Sequence, residues 1–316
     1  MKAGKAFEIF VKRILMNVGF LEVQSDDLFV FDGNAGQMVQ GLGEAHNADV
    51  LLEPPVQTPF IYKTRLLIEC KDYSKKVGLN TVRSALGLRE DVNSFEIVDK
   101  NALKARRSQR RSGIFEMYDR CIYQVAVASM SGFTTQAQKF AATHRIALIE
   151  FDKMNFWEDF KQVLHSISED ESWSEAEKQD KIIRYADSIS EKNAVAITNS
   201  GQILFLYREV GKENVFSGEY KLLWISPNLS WKMGVGGCQY GFQLPDVILK
   251  QWINNMSTDL ERRKEAINIK EKFMSNMIVY YSQNGKPAIG MISIDKSHIE
   301  DAKERLSTDY RTMENV

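Results

Sequence analysis

Apolar residues recur at two different periods along this chain, and the change from one to the other marks out its elements. Phe7, Phe10, Val11, Ile14, Leu15 and Val18 fall at helical spacing over residues 4–19, and Gly19 is a natural stop. Short, near-continuous apolar runs then predict buried strands at residues 48–52 and 66–71. Glu53-Pro54-Pro55 lies between them, and neither strand nor helix continues through such a connection. Asn80 is the expected N-cap of a helix through Val82, Leu86 and Leu88. Residues 124–130 and 146–151 read as strands. Between them Thr135-Gln136-Ala137-Gln138 fits a capping box, with Phe133, Ala137, Phe140 and Ala141 on one helical face. Strand, helix, strand in that order is a βαβ-type unit closing a sheet.

Beyond residue 152 the pattern changes. Residues 152–192 are polar, acidic and helical in period. Phe156, Trp157, Phe160 and Leu164 form an apolar stripe suited to core or interdomain packing, and Ser174 begins a second helix. From Ala194 onward hairpins dominate: residues 194–198 with 203–207, and residues 277–283 with 287–294 around Asn284-Gly285. Pro245-Asp246, Thr258-Asp259-Leu260-Glu261 and Ser297-His298-Ile299-Glu300 each open a helix. The expected architecture is α/β: a mixed sheet flanked by helices over residues 1–152, a helical linker at 153–192, and a second α+β domain at 193–316 for recognition, sensing or oligomerisation.

Charges inside the two buried strands change the picture. Asp49, Glu69 and Lys71 interrupt otherwise apolar runs. An uncompensated buried charge costs several kcal/mol, so these groups must be paired or hold a metal. Glu69 and Lys71, two residues apart, share one face of their strand, while Cys70 points to the other. Two carboxylates and one ammonium meeting at one spot suit Mg²⁺-assisted attack of water on a phosphodiester. The carboxylates ligate a hard cation and the lysine orients the water or offsets developing charge.

The set Asp49…Glu69-Cys70-Lys71 resembles the D…(D/E)-x-K core of the restriction-endonuclease-like nucleases. Gly4-Lys5-Ala6-Phe7-Glu8, Gly41-Leu42-Gly43-Glu44-Ala45-His46-Asn47 and Val125–Ser129 followed by Gly132–Ala137 make the first half similar to the Mrr-like branch of that superfamily. The resemblance covers roughly residues 1–150. It implies a restriction-endonuclease-like fold and hydrolysis of DNA with Mg²⁺, for which Mn²⁺ can substitute. It also implies Asp49 and Glu69 as metal ligands, with the Cys70 carbonyl completing the site and Lys71 acting on the water. Glu8 is either an acidic residue approaching the metal or a surface partner of Lys12 one turn on. His46 either holds a substrate phosphate or assists catalysis, or is simply solvated.

Composition bounds the partners. The 316 residues carry a net charge of −1, with 44% hydrophobic and 26% charged residues, which is ordinary for a soluble globular protein of about two domains. Such a chain does not coat nucleic acid by bulk charge, so any DNA contact needs a local patch. Lys75, Lys76 and Arg83 follow the acidic strand. Between Lys100 and Arg111 no acidic residue occurs, and Lys104, Arg106, Arg107, Arg110 and Arg111 form the strongest candidate for DNA capture. Cys70, Cys121 and Cys238 are scattered without a C-x-x-C pair, so neither a zinc site nor a disulfide framework is suggested, and a cytoplasmic setting fits. There is no signal-peptide pattern and no membrane partner is expected. Two rival functions remain: a catalytically silent DNA-binding module, and an RNA-directed or ligand-activated nuclease. One site cuts one strand, so double-strand cleavage would call for a homodimer or sequential nicking.

Overall fold

The computed structural model describes the chain apart from residues 1–2, 27, 35, 58–60, 97–100, 102–103, 105–107, 109–119, 170–171, 210–221, 226–229, 245–257 and 315–316. The protein is a mixed α/β structure with two principal sheets. Helix α1 (Ala3–Asn17) leads into β1 (Leu21–Glu22). Then β2 (Val30–Gly33), β3 (Gly36–Gln40) and β4 (Ala45–Asn47) form a small antiparallel sheet, in that order. Strands β5 (Val50–Glu53) and β6 (Lys63–Lys71) precede α2 (Leu79–Ser94). Strand β7 (Cys121–Ser129), α3 (Thr135–His144) and β8 (Ala147–Glu150) close the first sheet, whose order is β1-β5-β6-β7-β8. β5 is antiparallel to both neighbours, while β6, β7 and β8 run parallel.

Alternation along β6 explains how that sheet is covered on both faces. Leu66 and Ile68 join Phe7, Phe10 and Val11 of α1 in one apolar layer. Leu67 joins Val82, Ala85 and Leu88 of α2 and Ala137 of α3 in the other. A strand buried on both faces reads as a continuous apolar run, as this one does. The caps sit one or two residues from the expected places. Helix α2 starts after Gly78, leaving Asn80 inside its first turn, and α3 is capped by Thr134, whose hydroxyl accepts from the Ala137 amide.

Helices α4 (Trp157–Glu169) and α5 (Glu175–Ser188) follow. Ser174 and Glu177 form the capping box at the head of α5. The segment expected as a linker packs closely against the first helix. Phe160 stacks on Phe10 with ring centroids 3.8 Å apart, and Tyr185 stacks on Phe10 at 5.9 Å. The Arg13 guanidinium donates to both Asp187 carboxylate oxygens at 2.6 and 2.9 Å.

The second sheet is seven-stranded and antiparallel throughout, in the order β11-β12-β13-β10-β9-β14-β15. Its strands are β9 (Asn193–Thr198), β10 (Ile203–Arg208), β11 (Leu222–Ile225), β12 (Ser230–Val235), β13 (Cys238–Phe242), β14 (Asn276–Gln283) and β15 (Lys286–Ser293). Helix α6 (Asp259–Phe273) enters from the Thr258–Glu261 capping box, and α7 (Lys296–Glu314) ends the chain. The expected helix at Pro245-Asp246 lies outside the described residues. One face of this sheet buries Ala196, Leu206 and Trp231 with Ala266 and Ile269 of α6. The opposite face sends Val195, Phe205 and Tyr280 into the same apolar layer as α1, α4 and α5. Phe20 against Tyr280 and Phe151 against Phe205 pin the two sheets together, with centroids 5.0 and 5.4 Å apart. Among the described residues no helix is long and apolar enough to cross a membrane.

Candidate active site

The site is built at the C-terminal end of β6, where the loops after two parallel strands cross. Ligands of α/β sheets sit characteristically at the carboxyl ends of parallel strands. The Val77 amide donates to the Gly132 carbonyl at 2.9 Å, and Val77 bridges Phe133. The Ser131 hydroxyl donates to the Lys75 carbonyl at 2.7 Å. Gly132 has φ +73°, a conformation that favours glycine. These bonds hold the segment after Lys71 against the end of β7.

Asp49 lies just before β5, one residue outside the strand expected to contain it. Its Oδ2 accepts from the Cys70 amide at 2.8 Å, so it sits directly across from the Glu69–Lys71 segment. Lys71 Nζ donates to Glu69 Oε2 at 2.8 Å. Burial raises the Asp49 carboxyl above its ordinary value. The Cys70 hydrogen bond opposes the rise, the charges of Glu69 and Glu8 add to it, and Lys71 works against it. Burial disfavours the charge on Lys71, but the hydrogen bond and charge of Glu69 and the charge of Asp49 outweigh it, so the ammonium is held more firmly than usual. The Cys70 thiol is pushed well up, by burial first and by Asp49, Glu8 and Glu69 after it. It is therefore a neutral side chain packed on the α1 layer, which leaves its backbone as the group facing the site.

Glu8 belongs to this cluster through its effect on Asp49 and Cys70. Its own ion-pair partner is Lys5 at 2.8 Å, whereas Lys12 pairs with Glu22. The expected Glu8–Lys12 pair is absent because the geometry of α1 offers Lys5 one turn earlier. Lys75, Lys76 and Arg83 are exposed near the site, and the Arg83 guanidinium lies over the Phe140 ring at 5.8 Å. Lys104 is exposed, while Arg106, Arg107, Arg110 and Arg111 lie outside the described residues.

His46 has a structural occupation. Its Nε2 lies 2.7 Å from Asp91 Oδ2, and Asp91 Oδ1 also accepts from the Gly43 amide at 2.8 Å. Asp91 therefore clamps the glycine-rich turn before Asp49, and it had no local signal in the chain. A second polar group emerges at the same edge of the sheet. Register places Lys71 beside Ser129, and Ser129 beside Glu150. Glu150 is buried, accepts from Gln138 Nε2 at 2.7 Å and pairs with Lys153. Its trace in the sequence is one acidic residue in the apolar run Ile146–Phe151.

The donor set of Asp49, Glu69 and the Cys70 carbonyl is all oxygen, which suits a hard divalent cation. Asp49 is raised first by burial and then by the charges of Glu69 and Glu8, and a bound cation would offset the part that comes from those charges. Among the described residues no three His, Cys, Asp or Glu side chains are grouped closely enough to hold a metal by themselves. Carboxylates and a carbonyl thus fit the ion in kind.

No family model matches this chain, and no curated protein matches it. The solved structures contain a crystal structure of a protein of unknown function, AF1548, at 17% identity. The similarity covers 58% of this chain and 97% of that one at a TM-score of 0.31, a level that carries neither fold nor function across.

Proposed function

We propose that residues 1–152 form a restriction-endonuclease-like domain that hydrolyses DNA phosphodiester bonds with Mg²⁺, in restriction or phage defence within the cytoplasm. The observation that carries the reading is the closed set Asp49–Cys70 amide and Glu69–Lys71, two half-buried acids and one ammonium at the mouth of a parallel strand. A protein that only bound DNA would gain nothing from acids facing a polyanion.

In this reading Asp49, Glu69 and the Cys70 carbonyl hold the cation. When bound it supplies Lewis-acid polarisation of the phosphoryl oxygen and a more acidic water. Lys71 remains protonated, because Glu69 and Asp49 outweigh its burial. It therefore serves as a hydrogen-bond donor to the attacking water or to the phosphoryl oxygens, and as a fixed positive charge against the charge that builds there. Lys75, Lys76 and Arg83 contact backbone phosphates and supply register without sequence information. Two copies acting together would account for double-strand cleavage.

The second reading, a DNA binder without cleavage, is favoured by two features: Glu69 is engaged by Lys71, and among the described residues no three His, Cys, Asp or Glu side chains are grouped for a metal. Supercoiled plasmid, incubated with Mg²⁺ or with EDTA, separates the two. Nicking or linearisation in Mg²⁺, abolished by EDTA, supports the nuclease. Retardation of DNA that persists in EDTA with no cleavage supports the binder and sinks the nuclease.

A further inference from the structure

Strand β15 is the last of the second sheet, so β14 pairs with it along one edge only. The hairpin turn fixes which backbone groups the other edge carries. Asn284 (φ +54°) and Gly285 (φ +70°) form a two-residue turn of the I′ kind, so Gln283 and Lys286, which close it, exchange both N–H···O bonds. Such pairs alternate along an antiparallel ladder. Ala288, Gly290 and Ile292 therefore spend their N–H and C=O groups on β14, and the Ile294 amide continues the series to the Ser275 carbonyl at 2.7 Å. Ile289, Met291 and Ser293 turn theirs to the open edge. Pro287, which has no N–H, falls in the same set, where a sheet tolerates proline.

The two faces of β15 differ. On the inner face Ile292 is buried, and a Cβ on Gly290 would come within 2.0 Å of Val235. On the outer face a Cβ on Gly19 would meet Pro287 at 2.9 Å, and Phe20 covers Tyr280. Past that cover the face continues over Ile289, opposite Tyr280, and Met291, opposite Ile278, which are 44% and 65% exposed. The apolar layer that joins the two sheets thus runs on, uncovered, to the sheet edge. Exposed apolar side chains beside an open backbone edge are the equipment for strand addition.

We propose that β15 pairs antiparallel with the β15 of a second copy, about a two-fold axis through Gly290, so that one continuous sheet crosses a homodimer. In this register Ile289 lies opposite the partner's Met291, and Met291 opposite the partner's Ile289. Each pair exchanges both N–H···O bonds, and the side chains of both pairs meet on the outer face. The Ser293 amide donates to the partner's Pro287 carbonyl. A strand of another sequence could satisfy the backbone alone, but apolar residues placed symmetrically about a glycine make this edge its own complement, as a two-fold interface requires. The pairing would supply the two copies that double-strand cleavage calls for, yet it rests on β15 and not on the nuclease reading.

Sedimentation velocity of the full chain over a concentration series, without DNA or metal, is the test. A reversible monomer–dimer equilibrium is expected for the wild type. Met291→Lys and Ile289→Glu each set a charge against an apolar residue of the partner and should weaken dimerisation about ten-fold or more. Both side chains are exposed, so each variant keeps its fold, which matching thermal melts of dilute protein verify. Mixing the two variants should restore the dimer, because Met291→Lys of one copy then faces Ile289→Glu of the other while the second pair keeps Ile289 opposite Met291. A wild-type monomer at every concentration, a dimer that the variants leave unchanged, or a mixture that stays monomeric overturns the pairing. With no DNA or metal present, its failure is distinguishable from failure of the nuclease reading.

Discussion

Phe10→Ala is the most informative change to the scaffold. The Phe10 ring is fully buried, stacks on Phe160 at 3.8 Å with an 18° interplanar angle, and meets Phe156 edge-on at 5.7 Å. Truncating a buried phenylalanine costs about 3–5 kcal/mol, and each lost aromatic pair is part of that, at ~0.5–1.5 kcal/mol. The close stack and the several rings around it place Phe10 in the upper half of the range, so about 4 kcal/mol is expected. That is a large share of the roughly 5–15 kcal/mol total of a folded domain. Phe10→Leu, which keeps most of the volume, should cost about 1.5 kcal/mol. The assay is urea unfolding followed by tryptophan fluorescence and by far-ultraviolet circular dichroism. Trp157 lies 6.5 Å from Phe7 and 5.8 Å from Phe160, so it reports on this cluster. A loss under about 1.5 kcal/mol for Phe10→Ala would refute the packing argument, because a helix laid loosely beside α1 would give that value.

The remaining predictions concern charge and the loops at the site. Asp49→Asn should raise the melting temperature at neutral pH. The folded state holds this carboxyl above its unfolded value, so ionisation costs folding energy at high pH, and the gap to wild type should close as pH falls below 3.8; a lower melting temperature at pH 7 would contradict this. Asp187 behaves oppositely, since its hydrogen bond with Arg13 lowers its pKa. Its contribution is present above 3.8 and lost as pH falls through the folded value; partial exposure limits it to under about 1 kcal/mol, measured by urea unfolding of Asp187→Ala at pH 7 and pH 3. Gly132→Ala should cost about 1–2 kcal/mol in the same assay, because φ +73° strains an L-residue and its Cβ would stand 3.3 Å from an Asp152 oxygen.

How much of this was legible in the chain follows from the range of each interaction. Strands β5, β6, β7 and β8 could be read because a sheet buried on both faces needs apolar runs, and the three charged residues within or beside them stood out against that background. The capping boxes at Ser174 and Thr258 are local and were readable for the same reason. Thr134 and Thr135 are chemically alike neighbours, so the residue that caps α3 was decided by the turn after β7. The stripe Phe156, Trp157, Phe160 showed that a face was buried, but its partner Phe10 lies about 150 positions away, and periodicity carries no information about partners. The pairing of His46 with Asp91 spans 45 positions and is equally invisible locally. Trp231 and Tyr240 are fully buried on the face of the second sheet that packs against α6, a burial that single aromatic residues in a strand do not reveal locally. Arg106, Arg107, Arg110 and Arg111 of the basic run lie outside the described residues.

The most direct measurement is single-turnover cleavage of DNA in Mg²⁺ by wild type and by Lys71→Ala, with binding of the same DNA measured in parallel. The account expects cleavage by wild type, a loss of about 100-fold or more in the variant, and DNA affinity that changes little. Equal cleavage by the two proteins, or none by wild type under conditions where it binds DNA, would contradict the assignment of Asp49, Glu69 and Lys71 as the catalytic centre.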